Sequence, residues 1–108
     1  MRIWVDASTK LKRLAVVGGD GVPFAELYNE EWTNNEAEYH AILLAVRLYP
    51  GEHEIVSDSL LAVMQLNKKW AIRNDRLLTL ARRIWTEMKG QTISWCLRAE
   101  NRAGVLLG

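Results

Sequence analysis

Thr33-Asn34-Asn35-Glu36-Ala37-Glu38-Tyr39 opens the stretch on which the architecture turns. Thr33-Asn34-Asn35 supplies N-cap chemistry, because short polar side chains accept the free amide protons of a helix's first turn. From there to Tyr49, Ala37, Ala41, Leu44, Ala45 and Leu48 recur at helical spacing, and Pro50-Gly51 stops the helix.

On its N-terminal side, Arg2 to Asp6 alternates: Ile3 and Val5 share one face, Trp4 and Asp6 the other, which predicts a strand with Asp6 at its carboxyl end. Leu11 to Gly18 and Val22 to Trp32 are further strand-like runs, joined by Gly19-Asp20-Gly21, whose residues tolerate a tight hairpin. An antiparallel meander of three strands follows. On the C-terminal side, Glu54 to Ser57 reads as a short strand leading into Asp58-Ser59. Leu60 to Trp70 is then helical, with Leu60, Val63, Met64 and Asn67 in line. Asn74 or Asp75 caps another helix through Lys89, with Leu77, Leu80, Ala81, Ile84 and Met88 as its buried stripe and Gly90 as its stop. Thr92 to Leu97 is the last strand, and Asn101 to Gly108 leaves about two helical turns. The order βββαβααβα predicts an α/β fold: a mixed five-stranded sheet, antiparallel meander plus parallel strands, flanked by helices.

With 108 residues the chain is expected to form a single domain, 1–108, built round one core. Its composition, 49% hydrophobic and 25% charged, is that of an ordinary globular protein, and no apolar run approaches the ~20 residues of a membrane span. No membrane role is expected. Cys96 is the one cysteine, and Met1-Arg2-Ile3-Trp4-Val5-Asp6 meets an acid too early for a signal peptide, so a cytoplasmic location is expected. The net charge of +1 conceals an uneven distribution. Nine acids lie between Asp20 and Asp58 against Arg47 alone. From Lys68 to Arg83 the balance reverses, with Lys68, Lys69, Arg73, Arg76, Arg82 and Arg83 against Asp75. An acidic site beside a basic surface suits metal-assisted work on phosphates, although a basic helix face also serves solubility.

If the first and fourth strands pair in parallel, Asp6 and Asp58 become neighbours at their carboxyl ends, and Glu38 on the intervening helix can face them. Carboxylates this close repel unless a divalent cation neutralises them. Taken singly, Asp6 reads as a solvated strand end and Asp58 as a helix N-cap; the convergence of three acids is what points to metal. Glu36 is turned about 200° from Glu38 round the helix and is expected to face solvent. His40 faces away by the same argument, and His53 sits near a loop, so neither has ligand spacing.

Ile3-Trp4-Val5-Asp6-Ala7-Ser8, Thr33-Asn34-Asn35-Glu36-Ala37-Glu38-Tyr39 and Val56-Ser57-Asp58-Ser59 resemble, in order and spacing, the motifs of type 1 ribonuclease H. Trp95-Cys96-Leu97-Arg98-Ala99-Glu100-Asn101 is similar to that family's final strand and its Arg-x-x-Asn turn. The likeness spans nearly the whole chain and is to the small form of the archaeal or phage-like branch. It implies an endonuclease that hydrolyses the RNA strand of RNA/DNA hybrids, leaving 5′ phosphates and 3′ hydroxyls, with two Mg2+ or Mn2+ ions at the scissile phosphate. Asp6 would bridge both ions, with Glu38 and Asp58 completing the cage as the other catalytic ligands. Ser8, Asn34 and Asn35 would bind substrate, the asparagines reading the ribose 2′-hydroxyl together with Glu38. Lys68, Lys69, Arg73, Asn74, Arg98 and Asn101 would hold the hybrid, and a monomer is assumed.

The chain also departs from the pattern. The family's fourth acid lies four residues beyond the asparagine of the last helix, and counting from Asn101 reaches Val105. The second ion is therefore expected to bind weakly, calling for high Mg2+ or for Mn2+, unless the α-carboxylate of Gly108 substitutes. The alternative is a hybrid-binding module with little or no turnover. No histidine stands between Cys96 and Glu100, where Arg98 matches the arginine of another branch, and the basic protrusion is missing, since only Ala71-Ile72-Arg73 separates two helical patterns. Ser8, two residues after Asp6, argues against the related 3′-to-5′ exonucleases, which carry a glutamate there.

Overall fold

The computed structural model describes residues 1–107. β1 (Arg2–Ser8), β2 (Arg13–Gly18) and β3 (Pro23–Leu27) form the meander; α1 (Asn34–Leu48) leads to β4 (Glu54–Ser57); α2 (Leu60–Leu66) and α3 (Asp75–Glu87) lead to β5 (Thr92–Trp95). Two 3-10 segments, Arg98–Glu100 and Arg102–Leu107, follow. The sheet order is β3-β2-β1-β4-β5, antiparallel across the meander and parallel from β1 to β4 to β5. This is the mixed five-stranded sheet the element order implies.

The sheet divides the core. Ile3, Val5, Leu14, Val16, Ile55 and Ile93 face the helices, meeting Ala41, Ile42 and Ala45 of α1 and Leu80, Ala81 and Ile84 of α3. On the other face Trp4, Ala15, Val17 and Val56 are covered by Ala103 of the last 3-10 segment. Fully burying an isoleucine or valine contributes ~1.5–3 kcal/mol, so the helical face carries most of the stabilisation. A buried polar chain crosses this layer: the Tyr39 hydroxyl donates to Gln65 Oε1 (2.7 Å), and Gln65 Nε2 donates to the Ala71 carbonyl (3.2 Å). It ties α1 to α2 and to the loop beyond.

Several boundaries differ from those the sequence predicts. β2 begins at Arg13 rather than Leu11, because the chain turns at Thr9–Lys12, with Lys12 at φ 49° and Ser8 Oγ accepting the Leu11 amide proton. β3 ends at Leu27, not Trp32: Tyr28 leaves the strand to bury its ring against Trp32 (centroids 4.2 Å) and donate its hydroxyl to the Ser8 carbonyl. α2 ends at Leu66, not Trp70, because Lys68 takes the left-handed conformation (φ 61°) and the amides of Lys69 and Trp70 both turn back to the Met64 carbonyl. Leu60, in line with Val63 by periodicity, is exposed whereas Val63 is buried. α3 starts with Asn74 as its cap and stops two residues short of Lys89. The tail winds as 3-10 helix rather than α-helix.

Candidate metal centre

The parallel register decides the site. β1 and β4 pair from Arg2↔Glu54 to Val5↔Ser57, so Asp6 and Asp58 each stand one residue beyond the last pair, side by side. β1 itself continues to Ser8 along β2, which keeps Asp6 on rigid extended chain rather than in a loop. Ser59, not Asp58, caps α2, accepting the Ala62 amide proton at 3.2 Å, and the Asp58 carboxylate is left to face the cleft. Glu38 reaches the same point from α1. That helix begins with a full capping box, in which Thr33 Oγ1 accepts from the Glu36 amide (3.2 Å) and Glu36 Oε1 accepts from the Thr33 amide (3.1 Å). One oxygen each of Asp6, Glu38 and Asp58 lies within 4.8 Å of the other two.

The electrostatics of the trio are those of an uncompensated cluster. Burial, and then the charge of Asp58, raises Asp6 above the usual carboxylate range; the amide of Ala7 (2.9 Å to Oδ1) and the Arg98 guanidinium pull the other way. Burial, with Asp6 and Asp58 beside it, pushes Glu38 up to about 9. Glu38 Oε2 is a buried oxygen with no hydrogen-bond partner among the described residues. Asp58 Oδ2 accepts from Asn101 Nδ2 at 3.1 Å. Three hard oxygen donors in reach of one another, one of them orphaned, fit a divalent cation.

An open cleft of about 770 Å³ surrounds the trio. Of the residues named from sequence, Ser8, Asn34, Asn35, Arg98 and Asn101 line it with the acids, whereas Lys68, Lys69, Arg73 and Asn74 do not. Asn101 is 4% exposed and its side chain is fully engaged: Nδ2 donates to the Val5 carbonyl and to Asp58, and Oδ1 accepts from Ala103. Its part is to hold Asp58 rather than to reach outward. Asn74 Oδ1 accepts the Leu77 amide as the α3 cap, and the Lys68 ammonium sits 4.7 Å above the Trp85 ring. Trp70, beside Lys69, keeps 44% of its surface exposed.

Thr9, Lys10 and Ser59 also line the cleft and were not anticipated. The Thr9 hydroxyl donates to Asn34 Oδ1 at 2.6 Å, which leaves the Asn34 amide protons to be donated elsewhere. Only the fold brings these residues together, since 25 positions separate them. Glu36 corrects an expectation: it is 5% exposed, not solvated, because the capping box folds it back and Arg76 of α3 reaches its other oxygen at 2.9 Å. His40 does face away from the acids, with its ring stacked flat on Trp32 (3.7 Å, 5°). Burial, with Arg83 nearby, lowers its pKa. Val105 carries no charge and is 81% exposed at the cleft rim, and Gly108 lies outside the described residues. No helix among the described residues is long and apolar enough to cross a membrane.

No protein-family model matches the chain, and no curated protein does. Solved structures do. RNase H1 from the halophilic archaeon Halobacterium salinarum is 25% identical, with 97% of this chain and 92% of that one covered at a TM-score of 0.75. LC11-RNase H1, isolated from compost by a metagenomic approach, is 23% identical, with 97% and 90% covered at 0.80. The N-terminal RNase H domain of Rv2228c from Mycobacterium tuberculosis is 24% identical, with 93% and 84% covered at 0.70. LC11-RNase H1 has also been solved in complex with an RNA/DNA hybrid, 22% identical at 0.75. The strand order, the placement of Asp6 on β1, Asp58 just beyond β4 and Glu38 on α1, and these likenesses agree: the chain has the fold of type 1 ribonuclease H.

Proposed function

We propose that this chain is a metal-dependent endonuclease that hydrolyses the RNA strand of RNA/DNA hybrids, leaving 5′ phosphates and 3′ hydroxyls. The observation that carries the reading is the convergence of Asp6, Glu38 and Asp58 within 4.8 Å, with one buried oxygen of Glu38 that no group among the described residues satisfies. A hybrid bound to LC11-RNase H1, on the same fold, supports the substrate class.

Asp6, Glu38 and Asp58 would hold two Mg2+ or Mn2+ ions. When bound, such ions supply a water polarised for attack and neutralise charge on the departing 3′ oxygen. The protein's own groups do the rest. Asn101 fixes Asp58 from behind, and the Ala7 amide fixes one oxygen of Asp6, so both carboxylates are oriented before any ion arrives. Asn34, its oxygen already occupied by Thr9, presents amide protons that a ribose 2′-hydroxyl accepts and a deoxyribose cannot. Asn35 and Ser8 flank that position. Arg98 and Lys10 bring positive charge to the cleft rim for the phosphates. Lys68, Lys69, Arg73 and the exposed Trp70 form a separate corner between α2 and α3, suited to the second strand's backbone. We place the protein in the cytoplasm as a monomer.

A second reading, a hybrid-binding module without turnover, draws on the lack of a carboxylate at both Gly104 and Val105. End-labelled RNA/DNA, RNA/RNA and DNA/DNA duplexes, incubated across Mg2+ and Mn2+ concentrations with product ends mapped, separate the two. Cutting of the RNA strand in the hybrid, with Mn2+ or millimolar Mg2+ required, is expected. Tight hybrid binding with intact RNA throughout would select the second reading, and cleavage of DNA/DNA alone would reject both.

A further inference from the structure

Gly104 is a glycine whose backbone does not need to be one. The left-handed glycines among the described residues are Gly21, Gly51 and Gly90, and Gly104 is not among them. Gly18 and Gly19 are crowded too, but by a turn and by a neighbouring strand; a Cβ built at Gly104 would instead stand 3.3 Å from Oδ2 of Asp6, a carboxylate of the candidate metal-binding trio. That is tighter than nine in ten such contacts, so either the carboxylate or the turn would have to give. Val105, where motif counting places a ligand, lies at the rim of the same cleft and is 81% exposed.

The one-residue offset follows from the winding. A 3-10 helix repeats every three residues, so the side of the turn under Asn101 returns at 104; an α-helix would return between 104 and 105. The register is pinned at both ends. The Asn101 side chain accepts from the Ala103 amide, its carbonyl accepts from the Gly104 amide at 3.1 Å, and Ala103 is fully buried against the sheet face formed by Trp4, Ala15, Val17 and Val56.

We infer that Gly104, not Val105, is the residue of the C-terminal element that faces the cation site, and that its contribution is room: the bare backbone leaves Asp6 Oδ2 open to a hydrated cation. The inference rests on the metal-site reading above. Asp6 Oδ1 already accepts the Ala7 amide, so Oδ2 is the oxygen left to bind. With neither Gly104 nor Val105 offering a ligand, the shell of a cation on this side is completed by water, which a methyl group at 104 would displace.

Titration of the 108-residue wild-type protein, Gly104→Ala and Val105→Ala with Mn2+, followed by the electron paramagnetic resonance of the free ion, tests this without any cleavage assay. Gly104→Ala is expected to weaken Mn2+ binding by about fivefold or more, the scale of a mild steric clash, while Val105→Ala binds as the wild type does. Thermal melts in chelator should show Gly104→Ala folded and no less stable, since alanine also restricts the unfolded chain. Equal Mn2+ binding by Gly104→Ala and wild type, or an equal loss in Val105→Ala, would overturn the inference. Wild-type protein that binds no Mn2+ would instead bring down the metal-site reading itself. A measurement that needs no variant guards against misfolding: Mn2+ added to isotopically labelled wild-type protein should broaden the Gly104 amide resonance more than that of Val105 or Leu106, and the reverse order would refute the assignment.

Discussion

Glu36 and Glu38 stand two residues apart in the first turns of one helix, both drawn into the protein, and they end in opposite surroundings. Glu36 closes a seam: one oxygen accepts the Thr33 amide, the other meets the Arg76 guanidinium, and nothing is left over. Glu38 opens onto a cleft where its neighbours are Asp6 and Asp58, carboxyl groups like its own, and one of its oxygens has no partner among the described residues. A buried carboxyl group that is satisfied by its own protein holds structure together; one that is not is waiting for something from outside. Burial alone does not distinguish them. The partner list does.

The contrast can be broken most forcefully at the cleft. Asp6→Asn or Asp58→Asn keeps shape and removes a ligand charge, and loss of an ion's transition-state stabilisation, worth several kcal/mol, is expected to lower hybrid cleavage by about 100-fold or more in single-turnover assays. Full activity in both variants would remove the cleft from the chemistry. Arg76→Met, by comparison, should leave cleavage within a few-fold of wild type.

Glu38→Gln sharpens the comparison through stability. With a folded-state pKa raised from 4.5 to about 9, Glu38 keeps its proton in the metal-free fold, whereas the unfolded chain releases it. Its favourable contribution is therefore complete below about pH 4.5 and is lost progressively as pH rises towards 9. Melting temperatures in chelator should show wild type falling behind Glu38→Gln across that range, and saturating Mn2+ should reverse the order at pH 8, because only the wild type gains a ligand. Parallel pH profiles for the two proteins would contradict this. The same substitution should abolish efficient cleavage.

The smallest effect belongs to the seam. Glu36→Gln retains an acceptor for the cap but loses the charge that faces Arg76. Because the guanidinium is largely exposed and screened, a loss of about 1 kcal/mol is expected in denaturant unfolding, with Arg76→Met similar. A double variant no worse than either single one would show that the two act as a pair.

What could be read from the chain beforehand follows the range of the forces involved. The Thr33 and Asn74 caps, the alternation of Ile3 and Val5, and the neighbouring of Asp6 and Asp58 rest on local chemistry plus one assumption, that β1 and β4 run parallel. Those features were legible. Glu36 was misread although Thr33-x-x-Glu36 is a local capping-box pattern, and its other oxygen is met by Arg76, forty positions away on another helix. The early end of α2 was hidden because Lys68 adopts a conformation that its residue type does not announce. Thr9 became part of the site only when the fold carried it to Asn34. The winding of the tail was missed for a subtler reason: over six residues, α and 3-10 periods differ by too little for composition to choose between them, yet the difference decides which residue meets Asp6.

Gln65 carries a consequence for recognition. Its single amide group holds the Tyr39 hydroxyl of α1 at one end and the Ala71 carbonyl at the other, so the corner bearing Lys68, Lys69 and Trp70 is braced against the helix that bears Asn34 and Glu38. On the proposed reading, a duplex spanning both surfaces would meet them at a spacing set in advance, and little freedom of the protein would have to be given up on docking. Its affinity would then follow how well the helical rise of the bound strands suits that fixed gauge, and a duplex of different pitch would be disfavoured before any base or sugar is inspected.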